Sequence, residues 1–255
     1  MTFKSMLEAR GVEVRGRARA EHRNPVKALG FMDQVREPIR FLEMAAEQWR
    51  DCPTPCGDGL PTTSPELLAA HVSPPLREDV MITNKVSQNL HAELLLRQLG
   101  NALGQDRTER GIDHASTAQG ARVVREFLLG AGLDPDDFVF FDGSGLSGHD
   151  LVTPRATVRL LTWASTQPWF SAWKASLPVG GEDGSLATRF AKGPLKDHLF
   201  AKTGTLGEAR ALSGYLVGAS GRMAAFSVMV TDHAPGGHAD QEVMDRIVGA
   251  IAAAN

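Results

Sequence analysis

Two short runs of the sequence carry residue types suited to work on a peptide-like ligand. Lys202-Thr203-Gly204, continued by Thr205, reads as part of a strand. A lysine there offers a fixed cation and the threonines offer hydroxyls. Gly204 withholds a side chain, so a ligand can lie along the strand edge and pair with its backbone. Ser87-Gln88-Asn89 falls inside a strongly patterned helix. Ser87 can relay a proton, and the Asn89 amide can donate to a ligand carbonyl and accept from a neighbouring lysine. Either run alone is weak, because short motifs recur by chance: Lys-Thr-Gly also fits a solvated strand end, and Ser87 also fits an N-cap.

Other reactive residue types are read more plainly. Ser171-Ala172-Trp173-Lys174 is the sequence's one Ser-x-x-Lys, and it is taken as a chance helical spacing. His198, His233 and His238 are read as solvated loop histidines and not as a metal set. Asp134-Pro135-Asp136-Asp137 lacks the further oxygen ligands of a calcium loop and is read as a solvated turn. Trp49, Trp163, Trp169 and Trp173 are assigned to core or groove wall. Cys52 and Cys56 fit a small disulfide loop, free thiols or half of a metal set, and the spacing does not choose among them. No metal site and no cofactor is expected.

The positioning elements follow from periodicity and breakers. Phe3 to Arg10 has helical spacing closed by Gly11, and the following Gly11 to Ala20 alternates like a strand. Pro38 to Trp49 reads as a helix with proline at its start, and Asp51 to Pro65 as a loop. Val80, Ile82, Val86, Leu90, Leu94, Leu95 and Leu99 predict one helix over Leu76 to Leu99, stopped by Gly100. A second helix covers Ser116 to Leu129, and Thr153-Pro154 opens a third that runs through Trp163. Phe138 to Phe141 is a short strand before the turn-rich Asp142 to Asp150. His198 to Lys202, Leu212 to Gly218 and Met223 to Val230 are three strands of a meander. Gln241 to Ala253 closes the chain as an amphipathic helix whose apolar face is Val243, Ile247, Val248 and Ile251. Helices, then an antiparallel meander, then a helix make an α+β pattern.

Ser-x-Asn on a helix, Lys-Thr-Gly on the first strand of a meander and a terminal helix form the arrangement of penicillin-recognising serine enzymes. Longer stretches narrow the resemblance. Lys85 to Asn89 with its continuation, Asp142-Gly143-Ser144-Gly145-Leu146-Ser147, Leu177 to Leu186 (LPVGGEDGSL), Ala201 to Thr205 and Leu212-Ser213-Gly214-Tyr215 resemble the D-Ala-D-Ala carboxypeptidases of the penicillin-binding protein 4 type, the S13 peptidase family. The likeness runs from about Ser73 to Val230, with a weaker stretch at Phe3 to Arg19. Two departures stand out. The family's nucleophilic Ser-x-x-Lys has no counterpart at a matching place. Gly148-His149-Asp150 stands where the family shows Arg, any residue, Asn.

The resemblance implies a partial penicillin-binding, β-lactamase-like transpeptidase domain, with its N-terminal part missing. It divides the chain into the tail of an upstream region (1–23), an inserted or divergent segment (24–72) and the penicillin-binding part (73–255). It implies acyl-enzyme cleavage of D-Ala-D-Ala peptides of peptidoglycan. Ser87, Asn89 and Lys202 would be the catalytic residues, and Lys202, Thr203, Gly204 and Thr205 would bind substrate, with no nucleophile in this chain. β-Lactams would inhibit the full-length form, and the location would be periplasmic or otherwise extracytoplasmic. Without the nucleophile segment the chain is expected to be inactive alone, with a strand edge and an apolar sheet face exposed. A non-catalytic peptidoglycan-binding or scaffold protein and a serine β-lactamase are the alternatives. Length and composition agree with a soluble globular chain: 255 residues, 42% hydrophobic, 22% charged, net charge −3. That charge gives no reason to expect nucleic acid, no apolar run reaches a membrane span, and Thr2 to Arg23 is not a signal peptide.

Overall fold

The computed structural model describes residues 3–13, 15, 30–36, 73–103, 116–233 and 236–255. The helices are α1 (Phe3–Glu8), α2 (Phe31–Arg36), α3 (Leu76–Lys85), α4 (Asn89–Leu103), α5 (Ser116–Gly130), α6 (Pro154–Ala164), α7 (Phe170–Ser176) and α8 (Ala239–Ala254). A two-stranded antiparallel sheet joins β1 (Phe138–Val139) to β2 (Leu151–Val152). The three-stranded sheet runs β3 (Leu199–Leu206), β4 (Ala209–Val217), β5 (Met223–Val230), antiparallel throughout, with Lys202 opposite Ser213 and Ser213 opposite Ser227.

The meander is built by period-two alternation. Leu199, Ala201, Leu212, Leu216 and Phe226 face one way and bury against Met244, Val248 and Ala252 of α8. Phe200, Tyr215 and Ala225 face the other way, onto Leu161 of α6 and Phe170, Trp173 and Leu177 around α7. The Tyr215 hydroxyl donates to the Leu161 carbonyl at 2.8 Å, pinning α6 to the sheet. The start of α6 is fixed by its own sequence: the Thr153 hydroxyl accepts from Ala156 N at 3.1 Å and Pro154 occupies the first turn. A further core joins Leu128, Ala131 and Leu133 to Phe138 and Ala156.

The structure corrects several expectations. The helix expected over Leu76 to Leu99 is two helices, broken at Val86-Ser87-Gln88, where Ser87 has φ 58°. The apolar spacing runs through the break because Val86, Leu90 and Leu94 are 66%, 62% and 51% exposed; the pattern marks a solvent-facing stripe and not core. Gly100 does not stop the second helix, which continues to Leu103 with Gly100 buried. The strand at Phe138 spans two residues, and its partner Leu151–Val152 was not foreseen. Gly11 to Glu13 form no strand. On α8 the buried residues are Met244, Val248 and Ala252, while Val243 and Ile247 are exposed. The open part of the sheet face is polar at Ser213 and Ser227, which hydrogen-bond each other at 2.8 Å. Large exposed apolar side chains are concentrated on α3 and α4, with Leu206 and Met223 exposed at strand ends of the sheet. Cys52, Cys56, Trp49 and the helix and loop expected over 38–65 lie outside the described residues.

Candidate active site

The edge of β3 is half covered. Val179 bridges Phe200, with Ala201 N donating to Pro178 O at 3.0 Å and Gly180 N to Leu199 O at 2.9 Å. In an antiparallel strand the outward backbone groups alternate, so those of Thr203 and Thr205 face the same edge beyond the cover. Thr203 O is taken by the strand's own Lys202 ammonium at 2.7 Å. The Thr205 N–H therefore faces the open edge, on an exposed residue. Gly204 beside it is also exposed. A Cβ built there would meet only Ala211 Cβ, at an ordinary 3.6 Å. The fold has room for a side chain at Gly204, in contrast to Gly214, where a Cβ would lie 2.1 Å from Phe200 O.

Lys202 reaches from this edge to the break between α3 and α4. Its ammonium donates to Ser87 Oγ at 2.8 Å. Burial pulls the Lys202 ammonium below the ordinary lysine range. Its hydrogen-bond partners among the described residues are neutral oxygens, and no carboxylate pairs with it there. Thr203 Oγ1 donates to Ser185 Oγ at 2.7 Å. Asn89 is the exposed first residue of α4, and its side chain makes no hydrogen bond among the described residues. Thus Ser87 and Lys202 are brought into contact, Thr203, Gly204 and Thr205 share the strand edge beside them, and Asn89 sits two residues past Ser87 on the adjoining helix start.

The segment 177–186, read above only as a stretch of family resemblance with no site role, joins the two halves of this cleft. Asp183 Oδ2 pairs with the Lys85 ammonium at 2.6 Å, and Asp183 Oδ1 accepts from Val179 N at 2.8 Å. Asn84 Nδ2 donates to Ser176 Oγ at 2.7 Å. Gly184, at φ +56°, lies so close to the end of α3 that a Cβ would stand 2.6 Å from Lys85 O. Nothing in local residue type signals the contacts to α3, because the Asn84–Ser176 and Lys85–Asp183 pairs join positions 92 and 98 residues apart.

The other reactive residues stand apart from this constellation. Lys174 lies over the Phe200 ring at 4.6 Å, and Ser171 is exposed. His233 is not solvated: its side chain is buried 3.9 Å from Asp240, which also pairs with Arg210. His198 and His238 are exposed. Asp137 is likewise buried, not solvated; both of its oxygens accept from Arg155, whose guanidinium holds the carboxyl below the usual range. In the Asp142 to Asp150 turn, Asp142 accepts from Gly145 N and Ser147 N, and Gly143 N donates to Glu93 of α4. Asp150 accepts from Phe141 N; burial, and then the nearby Asp142, push its carboxyl up to about 6. Among the described residues no group of three or more His, Cys, Asp or Glu is placed to hold a metal, and no helix is long and apolar enough to cross a membrane.

Residues 56–254 match the model of the D-Ala-D-Ala carboxypeptidase 3 (S13) family. The chain belongs to the S13 family. The D-alanyl-D-alanine carboxypeptidase of Actinomadura sp. (strain R39) is 39% identical over 192 residues, 73% of this chain and 34% of that protein. The D-alanyl-D-alanine carboxypeptidase DacB of Haemophilus influenzae is 30% identical over 173 residues, 67% of this chain and 35% of that protein. The crystal structure of penicillin binding protein 4 (dacB) from Haemophilus influenzae, complexed with a β-lactam, superposes with a TM-score of 0.62 at 25% identity, over 71% of this chain and 42% of that one. Two predatory endopeptidases of Bdellovibrio bacteriovorus share the fold, with TM-scores of 0.53 and 0.51. This S13 chain spans about a third of the length of the curated relatives it matches. Over about 70% of its length, its mixed helical and antiparallel architecture matches part of penicillin-binding protein 4.

Proposed function

We propose that the cleft between Ser87 and β3 binds the C-terminal end of a peptide finishing in D-Ala-D-Ala, as part of a serine acyl-transfer site acting on peptidoglycan stem peptides. One observation carries the reading: the half-buried Lys202 ammonium, bonded to Ser87 and without a carboxylate partner among the described residues, stands at an open strand edge. A cation so placed favours an incoming carboxylate. Lys202 and Thr203 take that carboxylate, the Thr205 N–H polarises the scissile carbonyl, and Asn89 holds the acyl-side amide. Removing a donor such as the Thr205 N–H from an oxyanion site costs about 10²–10³ in rate. In the complete reaction a serine oxygen bonds to the carbonyl carbon, and the C–N bond to the last D-Ala breaks. Ser87 passes a proton to the departing amine, and water then releases the acyl group.

The nucleophile is not Ser171. Lys174 is engaged over the Phe200 ring and no hydrogen bond links it to Ser171. The reading requires a nucleophilic serine from a Ser-x-x-Lys brought to this cleft, and a site that works outside the cytoplasmic membrane, where such peptides lie. Two measurements test the reading. NMR titration with an acetylated peptide ending in D-Ala-D-Ala should shift Lys202, Thr203 and Thr205, and Lys202→Met should abolish the shifts. A fluorescent penicillin should leave the chain unlabelled; labelling that Ser171→Ala removes would overturn the assignment of the nucleophile.

A further inference from the structure

We infer that Asp183 is a positioning residue that, through Lys85, holds the Ser87 hydroxyl in register with the Lys202 ammonium. The inference takes its meaning for catalysis from the reading above, but its geometry and its first test do not depend on it. Ser87 sits in a three-residue break at φ 58°, a left-handed conformation that serine adopts only at a cost. A hydroxyl in so short a linker goes where its flanking helix ends are held. The end of α3 is held by Lys85, whose ammonium Asp183 grips at 2.6 Å, and by the backbone of Gly184 against the Lys85 carbonyl. Asp183 is itself fixed by Val179 N, and Val179 is bridged to Phe200, two residues before Lys202.

The path from Ser87 to Lys202 therefore closes as a ring: Ser87, Lys85, Asp183, Val179, Phe200, Lys202, and back across the 2.8 Å hydrogen bond. Two residues further along the same segment, Ser185 receives the Thr203 hydroxyl, so this stretch touches both the serine motif and the lysine motif. The Lys85 side chain is 17% exposed and that of Asp183 39%, so solvent screens the pair in part, and the second bond from Val179 N fixes the carboxylate beside it.

The test reads the Lys202 ammonium in the intact 255-residue chain, by NMR of ¹³Cε-labelled lysine, with the signal assigned through Lys202→Arg. In the unaltered chain Lys202 should lose its proton below the ordinary lysine range. In Asp183→Asn and in Lys85→Met, Ser87 should leave the ammonium and water should enter, so the Lys202 titration should move up toward the ordinary value in both. A purely electrostatic influence would move the two variants in opposite directions, because one removes a negative charge and the other a positive one. The double variant should shift no further than either single one. Asp183→Glu keeps the charge and displaces the carboxylate, so it covers the case in which Asp183→Asn fails to fold: it too should move the titration up, where a purely electrostatic influence would leave it unchanged. Folded variants whose Lys202 titration is unchanged, or is displaced in opposite directions, overturn the inference. Failure of the unaltered chain to bind the D-Ala-D-Ala peptide would defeat the proposed function and leave this titration to decide the role of Asp183.

Discussion

The Lys202 ammonium and the Ser87 hydroxyl, 115 residues apart in the sequence, meet at 2.8 Å. The fold here carries a cation away from full solvation with neutral oxygens as its partners, an arrangement that favours a ligand more than it favours the fold. Lys202→Met should therefore leave thermal stability unchanged or raise it, within about 1 kcal/mol, while eliminating binding of a D-Ala-D-Ala peptide. Calorimetric melting and a peptide titration on the same sample check both halves.

Gly204→Ala separates the needs of the strand from those of a guest. The Cβ would find ordinary contact with Ala211, and alanine loses less chain entropy than glycine on folding. The variant should be as stable as the parent or up to about 1 kcal/mol more so. A methyl group on the open edge beside Thr205 should obstruct a bound peptide, seen as a loss of the NMR shifts.

Asp150 gives a pH dependence of known sign. Its folded value of about 6 lies above the unfolded 3.8 because of burial and the neighbouring Asp142. The group therefore supports the fold most fully below the unfolded value, and that contribution is lost as pH rises through about 6. Asp150→Asn keeps an acceptor for Phe141 N and removes the charge. It should stabilise by on the order of 1 kcal/mol at pH 7.5, allowing for solvent screening, and by little below pH about 4. Denaturant midpoints at the two pH values decide it.

Tyr215 is the chain's one tyrosine, so its ionisation can be followed by absorbance without ambiguity. Burial pushes its hydroxyl up to about 12 from 10.0. The neutral phenol's contribution is complete below pH 10 and lost as pH rises toward 12. Tyrosinate should appear only above pH about 11, together with loss of the fold. Tyr215→Phe should cost about 1 kcal/mol by freeing the Leu161 carbonyl of one donor.

The elements set by local chemistry were legible. Thr153-Pro154 announced α6 and does cap it, and Met223 to Val230 is β5 to the residue. The helix break at Ser87 was hidden because serine, unlike glycine, does not advertise a left-handed conformation, and because the apolar spacing continued across it. The face of α8 was half right, because periodicity fixes an angle and not which stripe meets the sheet: Val248 and Ile251 do pack there, whereas Met244 and Ala252 take the place of the exposed Val243 and Ile247. Of the cleft, the individual motifs were readable. The ring through Lys85, Asp183 and Val179 was not, since it closes through the 98-residue Lys85–Asp183 contact and a backbone bridge from Val179 to Phe200 that no side-chain type signals.

The cover that Pro178 to Gly180 lays over the first half of β3 acts as a buffer stop. Among the described residues the cover leaves Thr203 to Leu206, with the Thr203 carbonyl already held by Lys202: roughly 13 Å at strand rise, which is room for about four residues of an added chain. A short tail can berth there with its end against the stop. A neighbouring molecule's full-length strand cannot, so the ledge that could accept a guest peptide is too brief to seed edge-to-edge stacking.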